Sequence, residues 1–358
     1  MSSPYIKLRI SGVTRETEDA VTVHLEHPLG SVIPAIPGQF LTLILPFQNQ
    51  KVRRAYSLSS CTFEGARLSV TVKRVAGGLV SNFLLDNAKP GLELEALAPI
   101  GNFTLHAHPA CQRHIVLIGA GSGITPLFSM LKSALMEEPQ SKVLLIYGNR
   151  DETSIIFNEQ LQKLQQQYAQ NLQVIHVLSQ PKEPALHKHT GRINRTKIIN
   201  LLQETGVADF LDSVYYTCGP EGLMDEVKEA LKILRIPQER LFKESFVSKL
   251  TEADEHGEVS VSAGNPNETH EVQVRYEGAE YKFNVGPKQS ILDAALAKGI
   301  DLPYSCQSGL CTACRGKCLN GKVHLDEREG LSDAELKDGY VLCCVSHPLT
   351  DDVFIEIG

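Results

Sequence analysis

The sequence predicts a multidomain protein: an antiparallel β-barrel, then an α/β unit on a parallel sheet, then a small α+β unit. Three observations carry this. Up to about Leu105 the chain runs in short alternating segments separated by Gly, Pro and polar turns, as half-buried strands do. From His114 apolar strands alternate with amphipathic helices, which builds parallel sheets. A polar, acidic stretch, KLTEADEHGEVSVSAGNPNETH, then separates a short cysteine-bearing segment from the rest. The expected boundaries are 1–108 for the barrel, 109–248 for the parallel unit, 249–268 for a linker and 269–358 for the last domain.

In the barrel the expected strands are Tyr5–Ile10, Val21–Leu25, Phe40–Leu45, Ala55–Leu58, Leu68–Val72 and Leu92–Ala96. The parallel unit reads as a strand His114–Ile118, a helix Pro126–Met136, a strand Lys142–Tyr147, and a helix through Leu161, Leu164 and Tyr168. Strands Leu172–Leu178 and Val214–Thr217 follow, then a helix with Leu223, Val227, Leu231 and Leu234 on one face, and a closing segment Arg240–Phe246. Past the linker, Glu271–Tyr276 and Tyr281–Val285 pair around Gly278, Ile291–Ala297 forms a short helix, and Val353–Ile357 is the final strand.

Composition narrows the function classes. A chain of 358 residues, 42% hydrophobic and 22% charged, is long enough to bury two or three cores. The net charge of −7 lacks the clustered basic surface that binding nucleic acid requires. Most of that charge lies at the end of the chain, where residues 269–358 hold 14 Asp and Glu against 9 Lys and Arg. Mild acidity of this kind solubilises a surface, and it also steers toward a basic docking face on a partner. The most apolar stretch, Ile115–Leu127, is broken by glycines, Ser122, Thr125 and Pro126, so no membrane insertion is expected. Nine cysteines, and no basic segment with an apolar run over Met1–Ile10, suggest a reducing, cytoplasmic setting.

Cys306, Cys311 and Cys314 stand as C-x4-C-x2-C, and Cys344 follows within VLCCVSHP. That is the spacing of a plant-type [2Fe–2S] cluster: a compact loop wraps three thiolates and its N–H groups around the metal, and a remote strand supplies the fourth. The rival reading, structural zinc, favours two short C-x2–4-C or C/H pairs, which this spacing does not offer. If the last segment is a strand, Cys343 and Cys344 point opposite ways, which makes Cys344 the ligand and Cys343 a packed thiol. Cys318 is expected in the core.

Four motifs occur in order: RAYS at Arg54–Ser57, GAGSGITP at Gly119–Pro126, TCGPEGLMD at Thr217–Asp225, and the cysteine cluster. Together they resemble the ferredoxin–NADP reductase superfamily, and the domain order resembles the reductase subunits of phenylacetyl-CoA epoxidase and related oxygenases. The resemblance covers essentially the whole chain. It implies a barrel binding FAD, a nicotinamide domain and a β-grasp-like ferredoxin domain. It implies Arg54 on the flavin diphosphate, Tyr56 against the isoalloxazine or ribityl, and Ser57 near flavin N5. Those roles suit a guanidinium, an aromatic face and a hydroxyl.

By the same resemblance Gly77, Gly78 and Ser81 make a second phosphate contact, at the N-terminus of a helix beginning near Leu79. Gly119, Gly121, Gly123, Thr125 and Pro126 form a glycine turn and helix start in the family's GxGxxP variant of the dinucleotide fingerprint. Cys218, Gly219 and Pro220 approach the nicotinamide, although a buried small thiol is the plain alternative for Cys218. Glu244 and Phe246 fall near the other flavin face, although RLFKESF also reads as a simple edge strand.

The expected cofactors are therefore FAD, a [2Fe–2S] cluster and NAD(P)H, with Ser57, Cys218 and Glu244 nearest the chemistry. NAD(P)H gives only a hydride, a flavin divides the electron pair, and a cluster carries one electron at a time. Arg150 favours NADPH, whereas Asp151 and Glu152 follow it and Ser179-Gln180 lacks an arginine. The expected partner is an electron-accepting protein, first an oxygenase component. A reductase of another metalloprotein of hybrid-cluster type, and a non-catalytic iron–sulfur redox sensor, are the alternatives.

Overall fold

Alternating burial brings the first six strands together. In a computed structural model, which describes residues 5–47, 50–206, 213–246, 268–328 and 330–357, they are β1 (Tyr5–Thr17), β2 (Ala20–Glu26), β3 (Phe40–Phe47), β4 (Gln50–Ser57), β5 (Leu68–Lys73) and β6 (Glu93–Ile100). They pair antiparallel in the order β4-β3-β6-β1-β2-β5. A bridge from Leu58 to Val70 then joins the two edges, so the sheet closes as predicted. Its core includes Leu8, Ile10, Val23, Leu41, Leu43 and Val70. Helix α1 (Leu79–Asn87) packs Val80 and Leu84 on that core. Strand β4 begins earlier than Ala55 because its polar first half is held by pairing with β3, a tertiary gain that alternation does not report.

The parallel unit follows as β7 (His114–Ala120), α2 (Ile124–Glu137), β8 (Lys142–Asn149), α3 (Asn158–Gln167), β9 (Leu172–Leu178), α4 (Arg195–Glu204), β10 (Val214–Gly219), α5 (Glu221–Ile233) and β11 (Leu241–Ser245). The sheet order is β11-β10-β7-β8-β9, with every pair parallel. Both faces are covered, one by a core with Leu117, Leu127 and Leu145, the other by a core with Ile118, Ile146 and Val227. Helix α4 was not expected, because its sequence is largely polar. Asn194 caps it by accepting from the Lys197 N–H, and Ile198, Leu201 and Leu202 anchor it. Leu234, expected on the same face as Leu223, Val227 and Leu231, is the C-cap residue of α5 and packs against their core.

The chain divides into two units, Met1–Phe246 and Val247–Gly358. The linker expected at 249–268 lies outside the described residues except for Glu268. The second unit contains β12 (His270–Tyr276), β13 (Ala279–Val285), α6 (Ile291–Ala297), β14 (Arg315–Asn320), β15 (Val323–Leu325), α7 (Asp333–Lys337), β16 (Tyr340–Leu342), β17 (Ser346–Pro348) and β18 (Val353–Ile357). Strands β13-β12-β18-β14-β16 form a mixed sheet, β12 and β18 running parallel, while β15 pairs with β17. Helix α6, capped by Ser290, buries Ile291, Leu292 and Ala295 in the same core as Val274 and Ile355. A mixed sheet holding a helix is the β-grasp arrangement the sequence led us to expect.

Two cysteine readings change. Cys343 and Cys344 sit in a turn between β16 and β17, so the fourth thiol does not come from a strand. Cys343 is nevertheless fully buried, its N–H donating to the Cys314 carbonyl at 3.0 Å and its own carbonyl accepting from Leu292. Cys318 is partly buried on β14, packed against the core rather than fully within it, and its thiol donates to the Asn320 carbonyl.

Candidate functional site

The order of the parallel sheet creates a switch point. From β7 the chain moves outward to β8 and β9, and then returns to the other side of β7 as β10. A crevice opens where the strand order reverses, at the carboxyl ends of β7 and β10. The turn Gly119–Gly123 leaves β7 there, and Cys218-Gly219 ends β10 beside it. The approach is so close that a Cβ on Gly123 would lie 2.1 Å from the Cys218 carbonyl oxygen, and one on Gly119 would lie 3.3 Å from it. Gly121 adopts φ of +55°. Thr125 Oγ1 donates to the Ser122 carbonyl, and Pro126 lies in the first turn of α2. No side chain caps that helix start, which continues from a 3-10 turn over Gly121–Gly123 whose carbonyls at Gly121 and Ser122 accept from the Ile124 N–H.

The closed barrel brings RAYS to the same crevice. Ser57, at the end of β4, is buried, and its hydroxyl donates to Glu244 Oε2 on β11 at 3.3 Å. Glu244 is the register partner of Cys218. Ser57, Glu244 and Cys218 are thus gathered around the glycine turn. Burial pushes the Cys218 thiol well above its usual range, and the Glu244 carboxylate adds to this, so the thiol stays protonated. Gly219 is buried against the Ala120 backbone, and Pro220 is the N-cap residue of α5. Phe246, just past β11, exposes 44% of its surface.

Arg54 and Tyr56 project from one face of β4, two residues apart. Burial raises the Tyr56 hydroxyl above its usual range, and the Arg54 guanidinium lowers it in part. Gly77 has φ of +70° with open space where a Cβ would be. Gly78 caps α1, and Ser81 Oγ accepts from the Val75 N–H. An arginine, a partly buried aromatic, a glycine cradle and a helix N-terminus fit a flavin carrying a diphosphate.

Sequence reasoning missed Lys73. It ends β5, and its Nζ lies 3.8 Å from where a Gly121 Cβ would sit, which holds a cation over the glycine turn. The available signal was a lysine closing an otherwise apolar strand, LSVTVK.

In the second unit the four predicted cysteines meet. The Cys306 thiol is in hydrogen-bonding contact with those of Cys311 and Cys344, and Cys344 also contacts Cys314. Those contacts, with the Ser308 N–H donating to Cys306 Sγ at 3.4 Å, hold Cys306 far below the usual thiol range despite burial. Among the described residues no group of three or more His, Cys, Asp or Glu side chains is set around a single ion. The four thiols interact with one another, Cys311 with Cys306 and Cys314, and Cys344 with Cys306 and Cys314, and an all-cysteine set of four at this spacing suits two irons. The buried hydroxyls of Ser305 and Ser308, also missed from sequence, flank Cys306; that of Ser305 lacks a partner, and that of Ser308 helps to favour the Cys306 thiolate. Gly309, at φ of +72°, is needed because a Cβ would meet Glu327 at 2.7 Å. The residues present therefore fit a [2Fe–2S] cluster.

The crevice and the thiol loop define an oxidoreductase that joins a pyridine nucleotide, a flavin and an iron–sulfur centre in one chain. Comparisons with known proteins agree in all three parts. An oxidoreductase FAD-binding domain matches residues 7–105, an oxidoreductase NAD-binding domain 117–229, and a 2Fe-2S iron-sulfur cluster binding domain 274–349. The chain is 36% identical over 355 residues to a subunit of the 1,2-phenylacetyl-CoA epoxidase of Escherichia coli, covering 98% of this chain and 96% of that one. It is 38% identical, with the same coverage, to the ferredoxin reductase component of 3-ketosteroid-9-alpha-monooxygenase from Rhodococcus rhodochrous. The solved structure of phthalate dioxygenase reductase shares the fold, with TM-score 0.62 and 24% identity over 99% of this chain and 100% of that one. The chain belongs to the ferredoxin–NADP reductase superfamily, in the branch whose FAD-binding, NAD-binding and 2Fe–2S domains follow one another in a single polypeptide.

Proposed function

We propose that this protein is the reductase component of an oxygenase system, passing electrons from NAD(P)H to an oxygenase such as the one acting on phenylacetyl-CoA. The observation that carries this is the meeting of Ser57, Glu244 and Cys218 around the glycine turn, since it joins a flavin strand to a nucleotide crevice. When bound, FAD accepts a hydride and releases its electrons singly, and a [2Fe–2S] cluster carries them one at a time.

The protein's own residues bind and orient. Arg54, Gly77, Gly78 and Ser81 hold the flavin diphosphate, and Tyr56 packs on the flavin. Gly119, Gly121, Gly123, Thr125 and Pro126, with Lys73, hold the nucleotide diphosphate. Cys218, Gly219 and Pro220 line the nicotinamide end. Ser57, steadied by Glu244, fixes the geometry between donor and acceptor, and Phe246 covers the crevice mouth. Cys306, Cys311, Cys314 and Cys344 ligate the iron. The domains run 1–108, 109–248 and 269–358, joined by 249–268. Among the described residues no helix is long and apolar enough to cross a membrane. Cytoplasmic placement accords with nine unpaired cysteines.

Anaerobic stopped-flow mixing with NADPH and with NADH tests the route. Flavin bleaching ahead of cluster bleaching, followed by turnover with an oxygenase component or cytochrome c, is expected. A chromophore that does not respond to either nucleotide removes the reductase reading. Bleaching without turnover on any acceptor leaves the sensor in its place.

A further inference from the structure

Beyond Ser57 the chain leaves β4 as a short platform, Leu58 to Cys61, which β5 holds from one side. The Ser59 N–H donates to the Ser69 carbonyl at 2.8 Å, the Ser59 hydroxyl meets Thr71 Oγ1 at 3.0 Å, and the Ser69 N–H donates back to Ser60 Oγ at 3.0 Å. Ser59, Ser60, Ser69 and Thr71 are all buried. This face of the barrel is therefore a ladder of hydrogen-bonded hydroxyls, which fixes the platform more closely than an apolar wall would.

Helix α2 meets the platform from the other side. Ser129, fully buried, donates its hydroxyl to the Ser60 carbonyl at 2.5 Å. Three residues on, Lys132 pairs with Glu64 in the 3-10 turn Thr62–Glu64, and the two side chains are only 14% and 28% exposed. The Lys132 ammonium also lies 4.7 Å from the centre of the Phe128 ring, which itself stacks on Phe157. Thr125, Ser129 and Lys132 recur at i, i+4 and i+7, so they share one face of α2.

The connection between the two ends of the site is short. Ser60 follows Ser57 by three residues, and Ser129 follows Thr125, in the helix start assigned to the nucleotide, by about 6 Å of helix. An ion pair taken out of water adds little net stability, and its use is to fix one surface against another. We infer that Ser129 and Lys132 are positioning residues for hydride transfer, a role that rests on the reductase reading. By seating α2 on the platform that continues from Ser57, they set the distance and angle at which the nucleotide faces the flavin.

The FAD-loaded full chain is compared with Ser129→Ala, Lys132→Met, Lys132→Arg, Glu64→Gln and the Lys132→Met/Glu64→Gln double variant. Three quantities are read: the single-turnover rate of flavin reduction by NADPH and by NADH, the Kd of NADP+ and NAD+, and a long-wavelength absorbance. That absorbance arises when oxidised nicotinamide stacks on dithionite-reduced flavin, and it reports their approach without turnover. Ser129→Ala and Lys132→Met each slow flavin reduction about 10-fold and weaken the absorbance, while Kd changes by no more than about 2-fold, because the helix start is intact and only its aim has moved. Lys132→Arg restores most of the rate, and the double variant is no slower than Lys132→Met alone, since the pair acts as one contact. Glu64→Gln, on the more exposed side of the pair, keeps the comparison open should a buried substitution prevent folding. Variants that melt at lower temperature yet keep the wild-type rate and absorbance overturn the positioning role alone. A wild type whose flavin neither nucleotide reduces overturns the reductase reading and the positioning role together.

Discussion

The hydroxyl of Ser57 on β4 donates to the Glu244 carboxylate on β11 at 3.3 Å, joining residues 187 positions apart. One lies in the barrel, the other on the edge strand of the parallel sheet. The contact fixes the width of the crevice between them. Replacing Ser57 with Ala removes the hydroxyl without adding bulk, so the reacting groups lose their alignment. Flavin reduction by NAD(P)H is expected to slow about 10- to 100-fold, with flavin retained, because alignment accounts for that order of the barrier. Single-turnover absorbance measures it, and an unchanged rate would remove Ser57 from the site.

Gly123 and Gly222 give opposite outcomes on substitution by Ala. At Gly123 a Cβ would meet the Cys218 carbonyl at 2.1 Å, so β10 or the turn must shift. The expected loss is about 1–3 kcal/mol of stability, with weaker nucleotide binding. At Gly222, in α5, nothing lies within 4 Å, and Ala is expected to stabilise by roughly 0.5–1 kcal/mol. Thermal melts of the two variants decide it.

Adjacent cysteines separate ligand from core. Cys311→Ser is expected to abolish the cluster's visible absorbance while flavin reduction by NAD(P)H continues. Cys343→Ala should keep the cluster and cost stability, since its side chain is fully buried among Ile291, Leu342 and Ile355 in one core. Full iron content in the first variant would contradict the ligand assignment.

His347 supplies a pH signature. Its Nε2 lies 3.1 Å from Asp326 Oδ2, and that hydrogen bond raises the imidazole above its usual 6.5 despite burial. Because the folded value is the higher one, the stabilisation is fully present below pH 6.5 and is lost as pH rises through the raised value. By contrast, burial lowers His176. Histidine resonances titrating by NMR should place His347 above 6.5 and His176 below it, and His347→Gln should flatten stability over the upper window.

Much of this protein is legible in order along the chain. Strand Leu172–Leu178 and helix Ile291–Ala297 stand where periodicity places them, because their burial pattern is local. Helix α4 was not legible, since three apolar anchors in a polar run give a weak signal and tertiary packing supplies the rest. Cys344 was found by spacing, while its turn was hidden because VLCCVSHP is as apolar as a strand.

What the sequence alone determined was the inventory: glycines at a strand-to-helix turn, a guanidinium and a tyrosine on one strand, and four thiols at cluster spacing. These are local because each depends on residue type and short separation. The tertiary structure decided which residues meet. Ser57 reaches Glu244, and Lys73 stands over Gly121. Such meetings depend on barrel closure and strand order. They follow from burying surfaces contributed by distant segments, which no periodicity along one segment encodes.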